Sequence, residues 1–186
     1  MALFMFIQTE ATPNPLTMKF IPGMSIMAQG TVFYTAPEQA KTSPLAQVLF
    51  AIGDVKAVFF GNDFITITKS EESHWEALKP IVLTALMDHL VAGKPVMSAT
   101  ASAAASQDDD SDIVKQIREL IDTRVRPAVA ADGGDIVFRR FHDGIVELEL
   151  HGACSGCPSS TITLKNGIEN MLKHYVPEVI AVEAVA

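Results

Sequence analysis

From Ala99 to Asp112 the sequence holds no apolar side chain larger than alanine, running through Ala, Ser and Thr into Asp108, Asp109 and Asp110. Such a stretch cannot bury enough apolar surface to offset the entropy lost on ordering it, so it cannot form the interior of a packed domain. The chain is therefore predicted to be α+β, with two small α+β domains over residues 1–95 and 112–186 joined by a flexible Ala/Ser/Asp linker over 96–111. At 186 residues it is long enough for each half to close its own core. The acidic run reads as a solvated spacer, because three adjacent carboxylates point in different directions and lack the loop glycine of a calcium site.

In the first half, Thr17 to Ile21 and Thr31 to Tyr34 are short strand candidates, and Val55 to Phe60 and Phe64 to Thr68 flank a Gly61-Asn62-Asp63 hairpin loop. Leu45, Val48, Leu49 and Ile52 mark one helix, and Ile81, Leu83, Leu86, Met87 and Leu90 a second, with Pro80 expected in its first turn. This half has no cysteine. Its histidines, His74 and His89, lack companions at ligand spacing and read as structural. Trp75 reads as a packing residue, and Thr12-Pro13-Asn14-Pro15 as a turn leading into a strand.

The second half opens with a helix capped by Ser111 or Asp112, whose apolar stripe is Ile113, Ile117, Leu120, Ile121 and Val125; Pro127 interrupts or restarts it. Gly133 and Gly134 are expected to supply left-handed positions in the turn that follows. Ile136 to Phe141 and Ile145 to Leu150 then flank His142-Asp143-Gly144, and Asp-Gly is a strong hairpin signal. Beyond the hairpin a helix is marked by Ile162, Leu164, Ile168, Met171, Leu172 and Tyr175, capped by Ser159 or Ser160 and closed by Pro177. Val179 to Val185 remains for a last strand.

Both cysteines of the chain, Cys154 and Cys157, fall on the turn between the second hairpin strand and that helix. There the unpaired N–H groups and the positive end of the helix dipole favour thiolates, and an anionic metal–sulfur cluster equally. Three uses of the pair follow from spacing alone. Cys154 and Cys157 could ligate an iron–sulfur cluster; they could join His151 or His142 on zinc; or Cys154 could be the exposed nucleophile of a thioredoxin-like thiol–disulfide enzyme. His151 reads as a strand-end residue beside the site, since its spacing matches no usual zinc pattern. The sequence left after Cys157 is too short to complete a thioredoxin sheet.

Composition removes other classes. With 22 Asp and Glu against 14 Lys and Arg the net charge is -8, so the electrostatic footprint of a nucleic-acid binder is missing. Mean hydropathy is +0.25, yet no apolar run approaches the ~18 residues of a membrane span. Two cysteines without a secretory signal indicate a reducing compartment. The first arginine is Arg118, so no Arg-rich presequence is present. The expectation is a cytoplasmic protein of bacterial type, or one of the mitochondrial matrix in processed form.

Arg126-Pro127-Ala128, Asp132-Gly133-Gly134-Asp135-Ile136, Gly152 through Ser160 and Thr163 through Ile168 together resemble the Nfu family, the carboxy-terminal domain of NifU-like iron–sulfur scaffolds. Thr12-Pro13-Asn14-Pro15 with Lys19-Phe20, Trp75 and Met87-Asp88-His89 resembles the amino-terminal Nfu domain. The resemblance implies a carrier rather than an enzyme. Its expected cargo is a [4Fe-4S] cluster held between two chains by Cys154 and Cys157, one per homodimer, received from upstream assembly machinery and passed to apo iron–sulfur proteins. One chain offers two thiolates and such a cluster usually takes four, which agrees with a two-chain site.

Overall fold

The computed structural model describes residues 6–98, 111–155 and 158–185, with the backbone alone at 158–160. The chain divides into two compact units, Met1–Ala104 and Ala105–Ala186, each with its own sheet and core. Most of the expected linker lies outside the described residues, as does Cys157.

In the first unit β1 (Gln8–Ala11), β2 (Thr17–Ile21), β3 (Val32–Tyr34), β4 (Val55–Phe60) and β5 (Ile65–Lys69) form one antiparallel sheet in the order β1-β2-β5-β4-β3. The turn into β2 is built by side chains. Asn14 Oδ1 accepts from the Leu16 N–H at 3.0 Å and the Thr12 hydroxyl donates to the Thr17 carbonyl at 2.9 Å. Trp75 takes the packing role: its ring lies 6.3 Å from that of Phe20 and its indole N–H donates to the Pro15 carbonyl. Helices α1 (Pro44–Phe50) and α2 (Trp75–Val91) share the core with the sheet through Leu45, Leu49, Leu78, Val82 and Leu86. Ser43 caps α1, accepting from Ala46 N–H at 3.0 Å.

Three expectations for this unit are corrected. Pro80 is the sixth residue of α2 rather than part of its first turn. The carbonyl of Glu76 thereby loses its helical donor, which is tolerable because both residues face solvent. The buried stripe of α2 runs through Leu78, Val82, Leu86 and His89, whereas Ile81 and Met87 are exposed, as is Val48 of α1. Strand β1 has no counterpart in the sequence reading. His89 is buried with its ring 3.0 Å from the Pro95 carbonyl, a structural use.

The second unit begins with α3 (Asp112–Leu120), capped by Ser111 Oγ, which accepts from the Val114 N–H at 3.3 Å. It continues through a π-helical turn (Ile121–Val125) into α4 (Arg126–Ala131). Pro127 brings no N–H to the carbonyl one turn before it and its ring crowds that carbonyl, so the helix widens here instead of breaking. Ile117, Ile121, Val125 and Val129 stay on one buried face throughout. Strands β6 (Gly134–His142) and β7 (Ile145–Gly152) form the expected hairpin, with Asp143 and Gly144 at φ +49° and +78°. Helix α5 (Pro158–Tyr175) then returns the chain to β8 (Ala181–Val185), which pairs parallel to β7 in the order β6-β7-β8. Since α5 starts at Pro158, Ser159 and Ser160 fall within its first turn rather than ahead of it.

The alternation along β7 is as the sequence predicts, with Val146 and Leu148 buried and Glu147 and Glu149 on the polar face. Those carboxylates meet cations across the hairpin. Hydrogen bonding to Arg140 holds Glu147 below the usual carboxylate range. At Glu149 burial acts upward, but His151 and Arg139 outweigh it and the net direction is down. Glu169 of α5 is lowered by Lys173 and by the Val182 N–H, which it accepts at 3.1 Å, tying α5 to β8. Each group is harder to protonate folded than unfolded, so its contribution is complete above the ordinary value of 4.5 and is lost as pH falls through the lower folded value. Urea midpoints of the second unit are expected to stay flat from neutral pH to about 5 and to fall below about 4.5. A decline that begins between pH 7 and 6 would assign the acid sensitivity to other groups.

Candidate functional site

The turn that carries Cys154 is held by two glycines in left-handed geometry, Gly152 (φ +64°) at the end of β7 and Gly133 (φ +84°) ahead of β6. The Ala153 N–H donates to the Gly133 carbonyl at 3.1 Å, and the Ser155 N–H to that of Gly152 at 3.1 Å. The cysteine turn is thereby pinned to the α4–β6 turn. Thr161, in the first turns of α5, directs its hydroxyl to the Cys154 carbonyl at 3.5 Å.

Cys154 is only 7% exposed and packs within the second unit's core. Gly134 makes room for it. Its φ is not positive, so it is not the left-handed turn residue the sequence reading expected. A Cβ there would lie 2.7 Å from Cys154 Sγ, 2.7 Å from the His151 carbonyl oxygen and 3.2 Å from Cys154 N. Sequence reasoning missed this positioning role, since only the pairing of Gly134 with Gly152 reveals it.

One residue further, Asp135 is buried and anchors the same corner. Its carboxylate accepts from Arg126 Nε at 2.8 Å and Nη2 at 2.7 Å, and from the Ile136 N–H at 2.8 Å. The hydrogen bond to Asp135 raises the Arg126 guanidinium above its ordinary value. Asp122 completes the clamp at 3.1 Å. Arg126→Met leaves a carboxylate that is 5% exposed without its cation, and is expected to destabilise the second unit by about 3 kcal/mol in chemical denaturation. A loss under about 0.5 kcal/mol would show that Asp135 is satisfied without the arginine.

The histidines sort differently. His142 stands at the hairpin end of β6, eight strand residues and so about 26 Å from Gly134, with Nε2 3.3 Å from Glu147 Oε1. It is therefore not brought to Cys154. His151 lies on the polar face of β7 with Nε2 2.7 Å from Glu149 Oε1, in keeping with a strand-end role. Among the described residues no three His, Cys, Asp or Glu side chains gather as a metal site; Cys157, the second predicted ligand, lies outside them.

A family profile described as "Scaffold protein Nfu/NifU N terminal" matches residues 7–93, and one described as "NifU-like domain" matches residues 117–183. A human protein named "NFU1 iron-sulfur cluster scaffold homolog, mitochondrial" is 51% identical over 184 residues, covering 98% of this chain and 72% of the human protein. A Drosophila persimilis protein of the same name is 48% identical over 97% of this chain, and this chain spans 65% of its length. Among solved structures, the solution NMR structure of a NifU-like protein from Saccharomyces cerevisiae is similar at 27% identity, over 51% of this chain and 86% of that one, with a TM-score of 0.47. That structural likeness is loose. The two domain matches and the relatives matched along nearly the whole chain carry the assignment.

Proposed function

This chain belongs to the Nfu family of iron–sulfur cluster scaffold proteins, and from that premise we propose that it carries a [4Fe-4S] cluster as cargo between two copies of itself, on Cys154 and Cys157. The observation that supports this most is the placement of Cys154 on a turn directly ahead of an 18-residue helix, α5. Thiolates are the ligands iron prefers, and the N-terminal dipole of the helix favours the anionic charge of a thiolate-bound cluster. Two thiolates per chain complete a four-thiolate site only when a second chain contributes its pair. The acceptors are apo iron–sulfur proteins, whose cysteines replace the carrier's, and upstream assembly machinery is the donor. No step requires the protein to act as an enzyme. The compartment in this reading is the bacterial cytoplasm or, as the names of the relatives indicate for them, the mitochondrion.

Anaerobic reconstitution with iron and sulfide, followed by Mössbauer spectroscopy and analysis of both elements, tests the cargo. The expected result is about four iron and four sulfide per two chains. Zinc retained without sulfide would refute it.

The first unit contains no cysteine and closes its own core, so its proposed part is partner selection rather than ligation. A fragment of residues 111–186 is expected to accept a cluster as the full chain does and to transfer it more slowly or less selectively to an acceptor. A fragment that is folded by circular dichroism yet binds no iron would overturn this division of labour.

A further inference from the structure

The clamp at Arg126 leaves one cation over. Asp122 stands four residues from each of two arginines, Arg118 and Arg126, and pairs with Arg126 at 3.1 Å. Arg126 also holds Asp135. Arg118 has no carboxylate among the described residues: its guanidinium lies 5.0 Å over the ring of Phe138, and its Nε is buried without a hydrogen-bond acceptor. Stacking on an aromatic face fixes the plane of a guanidinium but gives its N–H groups nothing to donate to, and a buried donor left unpaired weighs against the fold. Arg118 also lines a cavity of about 210 Å³, together with Asp122, Arg126, Ile121, Ile136 and Phe138.

We infer that this cavity is a binding site for a single carboxylate group, held by the guanidinium of Arg118. The cavity is smaller than the roughly 300–1,000 Å³ of pockets that enclose a whole cofactor, so it suits a group of side-chain size. A planar guanidinium matches a carboxylate, which accepts two parallel N–H bonds from it, and the apolar wall of Ile121, Ile136 and Phe138 strengthens such a pair by excluding water. Charge decides between the oxyanions. Asp122 lines the same cavity, so a phosphate carrying nearly two negative charges meets about twice the repulsion that a singly charged carboxylate meets. The carboxylate belongs either to a small free acid or to an acidic side chain of another protein, and both present the same group to Arg118.

The test uses the full chain without cluster, at constant ionic strength, with acetate, N-acetylglutamate amide, inorganic phosphate and chloride as probes. NMR follows the Arg118 Nε–H and the backbone amides of Ile121 and Phe138. Acetate and the blocked glutamate are expected to move these signals saturably at roughly millimolar concentration, with phosphate at least about threefold weaker and chloride inert. Arg118→Gln should remove the response, and Arg118→Lys, which keeps the charge without the fork, should weaken it about tenfold. Asp122→Asn should tighten binding about threefold to tenfold by removing the opposing charge. Arg124→Gln is the control, since that guanidinium covers Tyr175 instead, and should leave binding unchanged. The tighter of acetate and blocked glutamate names the source of the carboxylate. A response that survives in both Arg118 variants, that chloride reproduces, or that does not saturate by about 50 mM would overturn the site. Tighter binding of phosphate would overturn its assignment to carboxylates. Because no cluster is loaded, failure here leaves the reading of Cys154 and Cys157 standing.

Discussion

Cys154→Ser and Cys157→Ser are each expected to abolish stable cluster loading, with iron per chain falling to background while the empty protein remains folded. Serine is nearly the same size, so the turn is kept; but a hard hydroxyl is a poor ligand for iron that prefers soft thiolate, and each dimer would be left with two thiolates. Light scattering with iron analysis should show wild type mainly monomeric when empty and dimeric when loaded, with one cluster per two chains, and removal of iron should reverse it. A mixed dimer of one wild-type and one variant chain keeps three thiolates. It is expected to hold a cluster loosely, with one iron open to exchange, which is the opening an acceptor's cysteine would use. Loading at wild-type stoichiometry in either serine variant would remove that cysteine from the site.

The second large effect is expected at Gly134. Gly134→Ala puts a methyl group 2.7 Å from Cys154 Sγ and from the His151 carbonyl. The carbonyl belongs to the stretch of β7 that pairs with β6, where His151 lies opposite Asp135, so it cannot yield cheaply. The thiol must move instead. Overpacking of this kind costs about 1–3 kcal/mol, and because the displaced atom is the proposed ligand, loading should fall by more than the stability loss explains. Gly167→Ala is the control: nothing lies within 4 Å of its added Cβ, and removing a mid-helix glycine should stabilise by about 0.5–1 kcal/mol with loading unchanged. Equal loading in Gly134→Ala and wild type would mean that the space at Gly134 serves the sheet alone.

What the sequence disclosed and what it concealed differ in range. The Asp143-Gly144 hairpin, the Ile117–Ile121–Val125 stripe and the alternation of β7 are local patterns, and each was legible because its cause lies within a few residues. The cysteine turn was legible for the same reason, since a strand period ends and a helix period begins around it. Strand β1 was not, because Gln8–Ala11 carries no alternation of its own and is a strand only by pairing with β2 at the sheet edge. Gly134 was misassigned because its neighbour Cys154 is twenty residues away in sequence. The π-turn at Ile121–Val125 follows from Pro127, yet the residue alone does not say whether a helix will break, bend or widen. Ile162 deceived because its spacing fits the helix period although its side chain does not face the core.

The parallel pairing of β8 with β7 sets an order in time as well as in space. All elements of the first unit are complete by Val91, and that unit can close while the rest of the chain is still being synthesised. The second cannot. Val182 is a core residue of the second unit, and β7 stays an unpaired edge until residues 181–185 arrive to cover it. The second unit is therefore the last part of this chain to become a folded object, and a polypeptide interrupted before Ala181 would leave residues 145–149 of β7 as an open sheet edge. Newly made chains pass through that stage before the second core is closed, which makes the final strand the element that completes it.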